Sequence, residues 1–288
     1  MTKVAKSITL ELAIRRPGLQ ENLVPILRLA ATLLLSISCP GTFRCLAAQQ
    51  TGSTGALDTL PTADGLFDRS VQASGGREGW LKLTSLHIKG ELEIATSGLS
   101  GAMEIYSQAP AKVSECLRFD TGVFFCRAFD GTMGWQDDSQ NGVKDLQGKD
   151  LEEMKRDADF YSAINEKKKY SATRTTGEAD FNGARVYVVE AVRTDGRKFE
   201  LYFSKESGLQ AGSKEFVGPD AQTKTLYFEN YKPIPIGGVK LPTKIRSVTD
   251  TADIRFTIQE VEANPSIPES TFHVPAKSAR ENSTPPPQ

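Results

Sequence analysis

Histidine is nearly missing from this chain of 288 residues: there are two, His87 and His273. They stand far apart in sequence and neither has a nucleophile beside it, so a catalytic triad would have to recruit distant partners. Cysteine is also scarce. Of four, Cys39 and Cys45 lie in the N-terminal segment, leaving Cys116 and Cys126 further along. Two cysteines and two remote histidines do not make a structural zinc site. Neither a P-loop nor a strand-linked GxGxxG occurs, which removes the usual phosphate and dinucleotide cradles. A basic excess is missing too: 35 Lys and Arg balance 36 Asp and Glu, and from residue 49 onward 29 basic groups face 34 acidic ones. Nucleic acid is therefore not an expected partner. The single basic run, Lys167-Lys168-Lys169, reads as a solvated face. These absences point to a protein without catalytic residues, cofactor or metal.

The apolar stretch at 29–37, LAATLLLSI, is too short for a bilayer, which needs about 20 residues. Arg28 precedes it, Arg15 and Arg16 lie upstream, and Cys45-Leu46-Ala47-Ala48 supplies small residues after it. This is the layout of a secretory signal with a long basic region, cut near Ala48. Residues 1–48 are thus expected to leave on export to the periplasm, and 49–61, polar and rich in Gly, Ser and Thr, to form a flexible linker. Lipid anchoring at Cys39 is disfavoured, because Ser36-Ile37-Ser38 is a poor lipoprotein signal and Pro40 follows.

An oxidising compartment fits the two remaining cysteines. Asp120-Thr121-Gly122 between them is a turn signal. A hairpin folded about Thr121 sets Phe119 opposite Val123 and Cys116 opposite Cys126. Opposed residues of antiparallel strands lie about 4.5–5.5 Å apart at Cα, within disulfide reach.

Thr62 can cap a helix to Ala73, with Leu66, Phe67 and Val71 on one side, ended by Gly75-Gly76. A short helical turn over Arg77–Leu83 follows. The period then becomes two: Leu86, Ile88, Leu92 and Ile94 alternate with His87, Lys89, Glu91 and Glu93, with Gly90 as a bulge. Similar alternation, bounded by turns such as Asn182-Gly183 and Asp195-Gly196, predicts about eleven short strands. Pro242 places its strand at an edge or a bulge. Asp137–Lys149 reads as a polar loop. Asp150–Asn165 reads as a helix with Leu151, Met154, Ala158, Tyr161 and Ile164 on one stripe and Glu152, Glu153, Arg156, Asp157 and Asp159 on the wet side. Residues 276–288, with three consecutive prolines, read as a disordered tail.

The predicted architecture is mainly β: a single large curved antiparallel sheet, an open half-barrel, with the N-terminal helix and the mid-chain helix covering its apolar face. Such a sheet with a partial lid is a natural cavity for an apolar ligand.

Three stretches carry a resemblance. Gly75-Gly76-Arg77-Glu78-Gly79-Trp80 before the first strand, Phe129-Asp130-Gly131-Thr132-Met133-Gly134-Trp135, and Gly237-Gly238-Val239-Lys240-Leu241-Pro242 together resemble periplasmic proteins related to the outer-membrane lipoprotein carrier LolA. The likeness spans roughly residues 62–275 and rests on turn and packing motifs. It implies an open β-barrel lined by apolar side chains and lidded by helices, holding acyl chains without covalent chemistry.

The candidate ligand-facing residues are Leu92, Ile105, Leu201, Phe203, Phe256 and Ile258 on the strands, Leu151, Met154 and Tyr161 on the mid-chain helix, and Trp135 at the cavity mouth. The helix stripe reads equally as permanent core or as a mobile lid. The expected partners are a lipid or lipoprotein acyl chains, bound by a monomer that does not span the membrane and delivers its load to the outer membrane. The alternative is an envelope sensor that docks proteins on the same fold. A hydrolase, the third reading, needs His87 or a carboxylate pair buried in a cleft with a shifted pKa. The pairs Asp137-Asp138, Glu152-Glu153 and Asp157 with Asp159 are expected in solvent.

Overall fold

The computed structural model describes residues 60–217 and 222–274. The segment expected to be a secretory signal, with Cys39, nearly all of the expected linker and the 276–288 stretch lie outside the described residues.

Helix α1 (Ala63–Ala73) starts as its cap residue implies: Thr62 Oγ1 accepts a hydrogen bond from the Gly65 N–H at 3.1 Å. Ala63, Leu66 and Phe67 are its buried side. The chain reverses at Gly75, whose φ of 118° suits glycine, and α2 (Gly76–Leu81) buries Gly79 and Trp80.

The strands are β1 (Ser85–Ile94), β2 (Leu99–Gln108), β3 (Lys112–Phe119), β4 (Phe124–Phe129), β5 (Gly134–Asp138), β6 (Gly142–Asp145), β7 (Tyr170–Phe181), β8 (Ala184–Arg193), β9 (Lys198–Ser204), β10 (Gln210–Phe216), β11 (Thr223–Pro233), β12 (Lys240–Val248) and β13 (Asp253–Ala263). They form one open sheet in the order β6-β5-β4-β3-β2-β1-β13-β12-β11-β10-β9-β8-β7, with antiparallel neighbours throughout. The expected class holds, with thirteen strands rather than about eleven. Part of the difference lies in the expected polar loop at Asp137–Lys149, where Gly142, at φ 66°, turns the chain back into β6 against β5. With Val143 as its one apolar residue, β6 carries no alternation to read.

Local features follow the sequence closely. The β1–β13 register shifts at Lys89/Gly90. Asn182 (φ 49°) and Gly183 (φ 78°) make the left-handed pair that a two-residue β7–β8 hairpin requires. Cys116 lies opposite Cys126 and the two are disulfide-bonded, with Cα atoms 4.1 Å apart. Pro242 sits where β12 pairs with β11 alone, since pairing with β13 begins at Lys244.

The order of strands has a consequence for the lid. β1 and β13 meet in the middle of the sheet, so its two edges are β6 and β7, which are consecutive in the chain. Their connector therefore crosses the open side. It contains α3 (Gly148–Asp157) and two 3-10 turns, Ser162–Ile164 and Glu166–Lys169. The single helix expected over Asp150–Asn165 thus ends at Asp157. Beyond it, the Asp159 carboxylate accepts from the Tyr161 N–H and the Phe160 N–H donates to the Pro110 carbonyl, so the strap trades helical hydrogen bonds for bonds to its own side chain and to the sheet.

Two of the resembling stretches meet. Gly79 of α2 and Gly237 of the β11–β12 turn approach so closely that a Cβ on either would lie 2.4 Å from the other's carbonyl oxygen. The Lys240 N–H donates to the Ser74 carbonyl beside them. The N-terminal helices are fastened to the sheet at this point. No helix among the described residues is long and apolar enough to cross a membrane.

Candidate ligand-binding site

Alternation puts one set of side chains on the concave face in continuous rows. Phe228, Ile245, Phe256 and Leu92 are in register across β11, β12, β13 and β1. Between this face, α1 and the strap lies a cavity of about 300 Å³, at the lower end of the range for small-molecule sites. Its walls are mostly apolar: Ile88 and Ile105 from the first half of the sheet, Leu201 and Leu226 from the second, Phe67 from α1 and Phe160 from the strap. Polar groups enter at Ser70, Ser107, Gln210 and Glu166, and Lys167 and Lys169 of the basic run also border it.

The structure distributes the candidate residues unevenly. Ile105, Leu201 and Ile258 line the cavity. Leu92, Phe203 and Phe256 share the concave face but are buried in the core. Met154 is fully buried beneath α3, and Leu151 packs beside it. Tyr161 donates its hydroxyl to the Leu83 carbonyl and so ties the strap to the segment before β1. Trp135 is a correction. It lies opposite Ala128, on the face of Cys126, so it belongs to the convex side. There its indole N–H donates to the Phe272 carbonyl, under the C-terminal segment that wraps that side. In the short strand β5 both faces are buried, so alternation gave no clue to which side Trp135 takes.

The carboxylates expected in solvent need a second correction, and one of them, Asp157, meets the condition the hydrolase reading set, a buried carboxyl of shifted pKa at a cavity, with Arg127 as its partner. Asp157 ends α3 on its inner side and is 2% exposed. It belongs to a buried triad: Arg127 Nη2 bonds Asp157 Oδ2 at 3.0 Å and Arg127 Nε bonds Glu115 Oε2 at 2.8 Å. Both carboxyls line the cavity. Loss of solvation pushes the Asp157 pKa up to about 8, against the pull of Arg127, and the neighbouring Glu115 adds to the rise. Burial also raises Glu115. Burial opposes the charge on Arg127, but the two carboxylates outweigh it and hold the guanidinium protonated. Asp138 is buried as well, at the end of β5. Its burial is outweighed by hydrogen bonds from Asn141, Gln136 and Gln140, which keep its pKa low. Asp159 is half-buried at the cavity wall, whereas Glu152 stays exposed and bonded to Lys155.

The same α3 holds the other half of the sheet. Arg197, in the β8–β9 turn, bonds Glu153 at 2.9 Å and Glu215 of β10 at 2.7 Å. Lys224 lies directly opposite Glu215, and burial lowers its pKa. Through Asp157 and Glu153, α3 therefore spans from β4 to the β8–β9 turn. The Glu115–Arg127 pair was readable in principle: once Cys116 faces Cys126, Glu115 must face Arg127 on the opposite side of the sheet.

His87 is far from this chemistry. It sits on the convex face, stacked on Tyr106 at 4.1 Å, with Nε2 2.9 Å from Glu104. On the same face a wider and more polar groove of about 880 Å³ is bordered by Glu91, Glu93, Lys244, Arg246 and Arg255.

No family model and no curated protein sequence matches the chain. Solved structures do share its architecture. A DUF1329 family protein from Desulfovibrio piger superposes with a TM-score of 0.52 at 13% identity, over 73% of this chain and 96% of that one. A LolA superfamily protein from Nitrosomonas europaea gives 0.51 at 12%, over 75% and 99%. A domain from Vibrio parahaemolyticus described as outer membrane lipoprotein-sorting gives 0.50 at 16%, over 72% and 95%. At these identities the likeness is one of fold alone.

Proposed function

We propose that this chain is an exported, non-catalytic binder of apolar, acyl-bearing ligands, held between the concave face of the half-barrel and the strap that crosses it. One observation carries the reading. The single connector between the sheet's two edges covers a largely apolar cavity, and α1 and β12 contribute further residues to its walls. The disulfide supports an oxidising compartment. That a domain described as lipoprotein-sorting shares the fold supports a role in moving acylated cargo through the envelope. Native mass spectrometry of residues 49–288 purified from a periplasm, followed by lipid extraction, is the test. A stoichiometric acyl-containing passenger is the expected result. A protein that carries none, and takes up no fluorescent fatty acid, would refute the reading.

A second reading, protein docking on the same fold, is favoured by β7. This strand of 12 residues bonds β8 on one side, and no strand among the described residues pairs with its other edge, where an added strand could bond. A ligand-free protein that captured an extended peptide along β7 would favour it.

A further inference from the structure

Asp157 and Glu115 reach the wall of a cavity that is mostly apolar. Glu115 spends its carboxylate on Arg127, and so does one oxygen of Asp157. The other, Asp157 Oδ1, is buried and has no hydrogen-bond partner among the described residues. A sealed polar atom without a partner is costly, and such atoms are rare in folded proteins. We propose that Asp157 is the polar anchor of the cavity and that its carboxylic acid donates a hydrogen bond to the ester or amide carbonyl of an acyl ligand. This rests on the reading of the cavity as an acyl site and adds the orientation and class of the ligand: a neutral ester or amide, its carbonyl turned toward the end of α3.

The charge balance around Asp157 supports a donor role. Glu115 on β3 and Glu153 on α3 raise its proton affinity, and Arg127 on β4 lowers it. Arg156 on α3 and Lys224 on β11 are the further charges that face it. Loss of solvation dominates, so the acid keeps its proton up to about pH 8. The protonated acid offers one O–H, which suits a carbonyl acceptor.

The test uses two ligands that differ in the carbonyl alone, monopalmitoylglycerol and 1-O-hexadecylglycerol, competing with a fluorescent fatty acid on the mature protein. One buried hydrogen bond corresponds to roughly tenfold in affinity, so the ester should bind about tenfold more tightly than the ether at neutral pH. The preference should fade as the pH rises past about 8. Asp157→Asn keeps an N–H donor and should keep the preference at every pH, whereas Asp157→Leu should abolish it while still binding the ether. Equal affinity of the wild type for both ligands would overturn the anchor and leave the acyl site standing. Failure to bind either would remove the acyl reading and the anchor with it.

Discussion

At Arg127 two buried carboxyls share one guanidinium, and which of them keeps a proton decides how the interior responds to pH. Asp157 has an ordinary value of 3.8 and holds its proton to about pH 8 in the fold. Folding therefore takes up a proton in this window. The stabilisation is complete below the unfolded value and is lost as the pH rises through the folded one. Urea denaturation at pH steps between about 4 and 8 should show the wild type losing stability relative to Asp157→Asn, whose neutral amide has nothing to titrate. Glu115 shifts in the same direction and will leave a residual slope in the variant. Parallel curves for the two proteins would mean that Asp157 is ionised against Arg127 across the range. Sequence pattern could not find this group. Asp157 sits four residues after Glu153 and one after Arg156, in a run whose charge reads as a solvated helix face. It is buried because the strap carries the end of α3 over Arg127, a contact between segments 30 residues apart.

Elements were legible where they carry their own periodicity or their own turn. The cap at Thr62, the bulge at Gly90, the Asn182-Gly183 hairpin and the register of β3 with β4 all follow from a few adjacent residues. β6 and the end of α3 do not, because tertiary partners decide them: β5 recruits Gly142–Asp145, and Pro110 captures Phe160. The glycine stretches belong to this scale too. Their residues are punctuation in the sequence, whereas in the fold Gly79 and Gly237 are a joint between α2 and the β11–β12 turn. Gly79→Ala must push two backbones apart and should cost about 1–3 kcal/mol in chemical denaturation. Gly177, on the edge strand β7, has nothing within 4 Å of its missing Cβ, so Gly177→Ala should be close to neutral or slightly stabilising. Equal effects at the two sites would show that the joint has room to spare.

For the whole molecule, the open half-barrel was predictable from one-sided alternation and two amphipathic covers. The identity of the cavity wall was not. Which rows of the concave face are sealed by helices and which border free space depends on where the strap crosses, and sequence alone says nothing of that path. So Ile105, Leu201 and Ile258 border the cavity while Leu92 and Phe256, with the same alternation, do not. The strap and α1 both line the cavity and are joined at the surface by the Lys167–Asp64 ion pair, exposed on both sides. A surface pair of this kind contributes little to stability and can part readily. If ligands enter by separation of these two segments, joining them covalently should block uptake. Asp64→Cys with Lys167→Cys, bridged by a short bismaleimide while the native disulfide keeps Cys116 and Cys126 out of the reaction, should take up a fluorescent fatty acid on the order of tenfold more slowly than the same protein capped with a monofunctional maleimide. Equal rates would place the route of uptake elsewhere on the barrel and leave α1 and the strap as a fixed wall.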